Sequence, residues 1–321
     1  MNEIRPLLYL SRLLPEPVMA AIRERYRLLT EPEEAPPSPA ALRQGLQEAT
    51  AAIVTLSERI DAPSLAAASR LRVLANYAVG YNNIDLAAAR NHRIIVTNTP
   101  DVLTDATADL TWALILATAR RIVEGDALVR AGAWTGWTAT QLLGAEVAGR
   151  TLGIIGMGRI GQAVAHRAVG FRMPVRYYSR RAPLASPPGA QWEHASLPDL
   201  LRDSDFVSIH VPLTEQTRHL IGASELAGMR RTAILINTAR GPIVDEAVLA
   251  DVLERRAIAG AGLDVYEDEP RVHPGLRSLP HVVLLPHLGS ATWFARVQMG
   301  MICLRNVDAV LAGQPAPNPV T

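Results

Sequence analysis

The chain has 321 residues, 49% of them hydrophobic, with 32 basic and 31 acidic side chains for a net charge of +1. That length and apolar content suffice for two domains with buried cores, and the balanced charge gives no electrostatic case for a nucleic-acid partner. All 32 basic residues are arginine, which excludes lysine Schiff-base chemistry and a Walker-type phosphate lysine. Cys303 is the single cysteine, so no intramolecular disulfide forms and a reducing, cytoplasmic setting is expected. No run of about 18 apolar residues predicts a membrane span, and the N-terminus lacks the pattern of a signal peptide. The eight histidines show neither H-x-H nor H-E-x-x-H spacing, so no metal is expected.

In chain order, apolar runs at 7–10, 26–29, 52–56, 73–75 and 94–96 alternate with helical patterns at 17–25, 40–48, 64–68 and 86–90. This alternation predicts βαβ units and a parallel sheet covered on both faces. Residues 31–39, rich in proline and acid, read as a solvated loop. A long helix is predicted over 107–121, with Thr104 or Asp105 as its N-cap. Residues 131–149 read as a loop in which Trp134 and Trp137 pack, either at a dimer interface or as a cap on the core. Strands follow at 152–155, 175–178, 206–210, 233–237, 262–265 and 282–285, then a returning helix over 290–311. Six parallel strands around a glycine turn predict a doubly wound nucleotide domain. We therefore expect an α/β protein of two domains: residues 1–99 with 290–321, discontinuous, and residues 100–289.

The centre of the second domain is the stretch 151–161, Thr-Leu-Gly-Ile-Ile-Gly-Met-Gly-Arg-Ile-Gly. A buried-strand run leads into Gly156, Gly158 and Gly161, and Ala163, Val164, Ala168 and Val169 then recur at helical spacing. Strand, G-x-G-x-x-G turn and helix are the context of a dinucleotide site. Gly156 allows the tight turn, Gly158 lets backbone N–H groups reach a pyrophosphate, and Gly161 lets helix and strand pack closely. The carboxylate that an NAD-binding fold places about 20 residues further on is absent, since no Asp or Glu occurs between Val147 and Trp192. Ser179, Arg180 and Arg181 stand there instead, which points to the 2′-phosphate of NADP(H). The alternative is NAD(H) with a solvated arginine pair.

Three residues fall just past predicted parallel strands, the edge where ligands bind in such sheets: Arg240 in Asn-Thr-Ala-Arg-Gly-Pro, Glu269 before Pro270, and His287 in Pro-His-Leu-Gly-Ser. Glu267 is a neighbouring choice to Glu269. With these motifs in order, and with Ala75-Asn-Tyr-Ala-Val-Gly-Tyr, Asn98-Thr-Pro-Asp-Val-Leu-Thr, His210-Val-Pro-Leu-Thr and Gly262-Leu-Asp-Val-Tyr-Glu-Asp-Glu-Pro, the chain resembles the D-isomer-specific 2-hydroxyacid dehydrogenases over essentially its whole length. Within the family it is most similar to glyoxylate/hydroxypyruvate reductases.

The resemblance implies two Rossmann-like or flavodoxin-like doubly wound domains with the active site in a cleft between them. It implies that Arg240 binds the substrate carboxylate and keto oxygen, that His287 is the acid/base, and that Glu269 hydrogen-bonds His287 and favours its charged form. Val79 and Gly80 would hold the substrate carboxylate through backbone N–H groups, with Leu56 as an apolar wall. The cofactor would be bound by Gly156, Met157, Gly158, Arg159, Ile160 and Gly161, and by Ser179, Arg180 and Arg181. His210, Val211 and Pro212, then Thr238, Ala239 and Arg240, and Asp264, His287, Gly289 and Thr104 would complete its site. The implied reaction is NADPH-dependent reduction of glyoxylate or hydroxypyruvate by a homodimer formed through the helix 107–121 and the Trp134 loop. Two alternatives stay open: an NADH-dependent enzyme for a bulkier 2-oxoacid, and a dinucleotide-sensing binding protein. Asn82, where the family commonly has Asp, and the loop 138–141, which lacks bulky residues, depart from the pattern.

Overall fold

The computed structural model describes residues 5–180 and 184–321. The chain divides into two compact units, Met1–Leu103 with Ser290–Thr321, and Thr104–Gly289, so that residues 100–103 lie with the first. The first unit begins β1 (Leu7–Leu10), α1 (Glu16–Arg25), β2 (Arg27–Leu28), α2 (Pro39–Glu48), β3 (Ala51–Val54), α3 (Ala62–Ala67), β4 (Val73–Asn76), α4 (Leu86–Asn91) and β5 (Ile95–Thr97). Its five strands are all parallel, in the order β2-β1-β3-β4-β5. Every residue of β3 and β4 is buried, which is why they read as unbroken apolar runs instead of alternating ones. Helices α2, α3 and α4 start at Ser38, Asp61 and Asp85, whose side chains accept the N–H groups of Ala41, Ser64 and Ala88.

The second unit runs α5 (Thr104–Ala119), α6 (Ile122–Arg130), β6 (Leu152–Ile155), α7 (Arg159–Ala168), β7 (Val175–Tyr178), β8 (Trp192–His194), α8 (Leu197–Asp203), β9 (Phe206–Ile209), α9 (Ala223–Ala227), β10 (Ile234–Asn237), α10 (Glu246–Glu254), β11 (Gly260–Leu263), α11 (Pro274–Arg277) and β12 (Val282–Leu284). Its sheet has the order β12-β11-β10-β9-β6-β7-β8, again all parallel. Chain order reverses between β6 and β9, and ligands bind open α/β sheets at such switch points. One face buries Leu114, Ile154, Val164 and Tyr177, and the other buries Leu200, Val207, Leu235 and Leu249. Finally α12 (Trp293–Leu311), capped by Thr292, returns and packs on β4.

Several expectations need correction. The second sheet has seven strands, not six. The extra one, β8, is a three-residue edge strand whose Glu193 and His194 are exposed, so pairing with β7 holds it without a hydrophobic signature. The long helix starts at Thr104, which places Thr104 and Asp105 in its first turn and not at its cap. It ends at Ala119, because Arg121 adopts a left-handed conformation (φ +52°), and α6 begins after it. Trp134 and Trp137 are 53% and 82% exposed, so neither caps the chain's own core.

Candidate active site

The glycine turn is built from two kinds of glycine. Gly156 leaves β6 at φ +102°, and a Cβ there would lie 2.6 Å from the His210 carbonyl oxygen and 2.8 Å from Val211 Cγ1. A Cβ on Gly161 would lie 2.1 Å from the Gly156 carbonyl oxygen. Both are required by the packing of the turn itself. Gly158 differs: its φ is an ordinary −79°, and nothing lies within 4 Å of a Cβ built on it. Gly158 is the N-cap of α7 and provides no side-chain cap, and Arg159 and Ile160 form the first helical turn behind it. Open space before an uncapped helix N-terminus suits a pyrophosphate, so the residues present fit a dinucleotide. Met157 is buried beneath the turn.

Along the same edge, Ser179 follows β7 half-buried, its carbonyl 3.1 Å from His194 Nε2, and Arg180 is exposed. Arg181 lies outside the described residues. His210 follows β9 with Nε2 2.8 Å from Ser208 Oγ, and burial pushes its pKa down to about 3, so it is neutral at pH 7. Val211 is half-buried and Pro212 exposed. The Thr238 hydroxyl meets that of Thr111 at 2.9 Å, and Thr107 Oγ1 donates to the Gly289 carbonyl at 2.9 Å, so α5 ties together the loops after β10 and β12. Thr104 stands half-buried at the start of α5.

Arg240, Glu269 and His287 follow β10, β11 and β12, three strands adjacent in the sheet. Asn237 shapes the first loop, its Oδ1 accepting the Ala239 N–H at 3.0 Å and its Nδ2 donating to the Arg240 carbonyl at 2.9 Å. A Cβ on Gly241 would come 1.8 Å from the Tyr266 carbonyl, so only glycine lets this loop abut the next. There the Tyr266 N–H donates to Glu269 Oε1 at 3.1 Å, while Glu269 Oε2 lies 2.8 Å from His287 Nδ1. Glu267 is committed elsewhere: its Oε1 is 2.6 Å from His219 Nε2, and its N–H donates to Glu246 at 2.6 Å. His287 has φ +57°, a conformation held by Asp264. The Asp264 carbonyl accepts the His287 N–H at 3.0 Å, and its carboxylate accepts those of Leu288 at 2.6 Å and Gly289 at 2.8 Å.

The electrostatics follow from this packing. Burial raises the Asp264 carboxyl above its ordinary value, against the opposing bonds from Leu288 and Gly289. Burial also pushes Glu269 upward, but the hydrogen bond and charge of His287, the Tyr266 N–H and the Arg240 charge outweigh it and hold Glu269 low. Arg240 is lowered by desolvation, with Glu269 opposing, and its Nη1 donates to the Ala239 carbonyl at 2.7 Å. In the first unit, Leu56 lies half-buried beyond β3, and Val79 and Gly80 half-buried beyond β4. The supporting roles of Asn237, Glu246 and Thr111 were not anticipated, and Asp264 was expected only as a cofactor contact. A signal existed for two of them: Asn237 ends the apolar run of β10 and Asp264 directly follows that of β11, and a buried polar group must find partners.

A doubly wound sheet, a glycine turn fitted to a pyrophosphate and three polar loops beside it define a nicotinamide-dinucleotide oxidoreductase. Residues 112–289 match the model of the D-isomer specific 2-hydroxyacid dehydrogenase NAD-binding domain. A glyoxylate reductase of Thermococcus kodakarensis is 47% identical over 318 residues, 98% of this chain and 96% of that protein. Among solved structures, a protein from Thermus thermophilus is 45% identical with a TM-score of 0.91, covering 98% of this chain and 100% of that one. An NADPH-dependent glyoxylate/hydroxypyruvate reductase from Sinorhizobium meliloti, in complex with NADP and malonate, is 32% identical with a TM-score of 0.88, covering 99% and 97%. The chain belongs to the D-isomer-specific 2-hydroxyacid dehydrogenase family and is an NAD(P)-dependent oxidoreductase acting on a CH–OH group.

Proposed function

We propose that the protein reduces glyoxylate or hydroxypyruvate with NADPH, yielding glycolate or the D-2-hydroxyacid. The observation that carries this reading is the His287–Glu269 pair at 2.8 Å, with Arg240 on the adjacent loop. Arg240 grips the substrate carboxylate and keto oxygen through its planar fork and so orients the carbonyl. Backbone N–H groups of Val79 and Gly80 bind the carboxylate, with Leu56 against the substrate's apolar side. The reduced nicotinamide supplies the hydride to the carbonyl carbon. As negative charge develops on the keto oxygen, His287 gives it a proton from Nε2 while Glu269 holds the ring through Nδ1–H. His210, neutral and hydrogen-bonded to Ser208, takes no part in proton transfer. NADPH is favoured because Ser179 and Arg180 replace the carboxylate expected for NAD, and because the Sinorhizobium relative is NADPH-dependent.

Initial rates with glyoxylate, measured in parallel with NADPH and NADH, test the reading. A higher kcat/KM with NADPH is expected. Preference for NADH would remove Ser179 and Arg180 from 2′-phosphate binding while leaving the chemistry intact. Absence of turnover with both glyoxylate and hydroxypyruvate would overturn the substrate assignment.

A further inference from the structure

In the first unit, the loop after β4 has three consecutive carbonyls held by donors. The Ala78 carbonyl accepts the Thr99 N–H at 2.9 Å, the Val79 carbonyl accepts Asn98 Nδ2–H at 2.8 Å, and the Gly80 carbonyl accepts Asn76 Nδ2–H at 2.8 Å. A trans peptide is planar, with its C=O and the following N–H pointing in opposite directions. Fixing these carbonyls therefore turns the N–H groups of Val79, Gly80 and Tyr81 away from the three donors. Among the described residues none of these N–H groups has a hydrogen-bond acceptor. Successive N–H groups left open in one turn form an anion-binding concavity.

The donors are themselves anchored. Asn76 is fully buried, and its Oδ1 lies 3.3 Å from Asn83 Nδ2, which also donates to the carbonyls of Thr55 at 3.0 Å and Glu58 at 3.1 Å. The buried Glu58 carboxylate accepts from Ser11 Oγ at 2.8 Å, Arg12 Nε at 2.9 Å and the Thr55 N–H at 2.6 Å. One polar network thus joins the C-terminal ends of β1, β3 and β4 beneath the loop. Asn98, just past β5, holds it from a second direction.

We propose that Asn76 and Asn98 are positioning residues for substrate binding: their amide donors hold the Gly80 and Val79 carbonyls and so aim the N–H groups of Val79, Gly80 and Tyr81 at the carboxylate of a 2-oxoacid. The proposal rests on the reading above that this loop receives the substrate carboxylate, and it adds Tyr81 to the donors. Neither asparagine touches the reacting atoms, so the clamp acts on binding and leaves the chemical step alone.

Asn98→Ala removes one donor from a half-buried position, and Asn98→Asp places a carboxylate against the Val79 carbonyl. Asn76→Ala is the companion test, and because Asn76 is fully buried the Asn98 variants decide if it fails to fold. For each, KM and kcat with glyoxylate are measured, together with the Kd of oxalate and the Kd of NADPH, oxalate being titrated into protein saturated with NADP+. A parallel rise of about 10-fold in KM and oxalate Kd is expected for Asn98→Ala, and a larger one for Asn98→Asp, with kcat and NADPH affinity within about twofold. Unchanged KM and oxalate Kd in folded Asn98→Ala would overturn the clamp. So would a joint loss of kcat and NADPH affinity, the mark of general loosening. Should the wild type turn over no 2-oxoacid, the functional reading fails by itself, and the oxalate Kd of wild type against Asn98→Ala still decides the clamp.

Discussion

His287 and Glu269 are the residues whose geometry commits most directly to an outcome. With Nδ1 occupied by Glu269, the other ring nitrogen is the one available to exchange a proton. His287→Ala is expected to lower kcat about 10²- to 10⁴-fold, the usual contribution of a positioned acid. A near-normal rate would remove His287 from the mechanism. Arg240→Lys is expected to raise KM sharply, because an ammonium cannot reproduce a bidentate fork, and an unchanged KM would place carboxylate binding elsewhere. Glu269 also sets a pH signature. Its carboxyl is held below the ordinary value of 4.5, so its contribution to stability is complete above that pH and is lost as pH falls through the lowered value. The Tm advantage of wild type over Glu269→Gln should therefore be present above pH 4.5 and shrink below it; a pH-independent difference would dissociate the pair from stability. The positions of these three residues were legible because each follows an apolar strand run. Asn76, a buried polar residue ending the apolar run of β4, carried the same signal as Asn237, whereas Asn98 was not legible, since its partner is a backbone carbonyl, which leaves no trace in residue type.

At the scale of elements, β6, the glycine turn and α7 could be read directly, because a buried strand, a left-handed glycine and a helical apolar repeat each constrain the same few residues. The two glycines that fail differently give a test. Gly161→Ala drives a methyl to 2.1 Å from the Gly156 carbonyl oxygen, so turn and helix must separate, and both stability and dinucleotide binding should fall. Gly158→Ala meets no protein atom within 4 Å and needs no unusual φ, so it should cost no more than about 1 kcal/mol while clearly weakening NADPH. Calorimetric Tm and NADPH titration of the two variants separate the cases. Equal cofactor affinity in Gly158→Ala would mean that the open space before α7 is not where the pyrophosphate lies. What was illegible at this scale has a common cause. Strand β8 is an exposed edge, and the break before α6 depends on a left-handed arginine, Arg121, so neither has the apolar periodicity on which prediction depends.

For the molecule as a whole, one exposed apolar stretch lies on α6 and the loop after it. Helix α6 buries none of its residues, yet Ile122, Val123 and Val129 are more than half exposed, as are Trp134, Trp137 and Leu143 beyond it. Large apolar side chains left exposed within one short stretch of chain suit an interaction surface. In α5, the long helix expected to share in a dimer seam, Trp112, Leu114 and Ile115 are spent on the second unit's own core, while Asp109 and Ala113 are exposed. We therefore expect a second copy of the chain to cover α6 and the tryptophan loop, with α5 behind them. Arginine introduced there would have to be buried unpaired on association, which costs several kcal/mol and is tolerated only in the separated subunit. In sedimentation at micromolar concentration, wild type should run at about twice the 34.7 kDa chain mass, and Val129→Arg/Trp137→Arg at the mass of one chain with its Tm little changed. A monomeric wild type, or a double variant that remains dimeric, would show that α6 and the tryptophan loop do not form the seam.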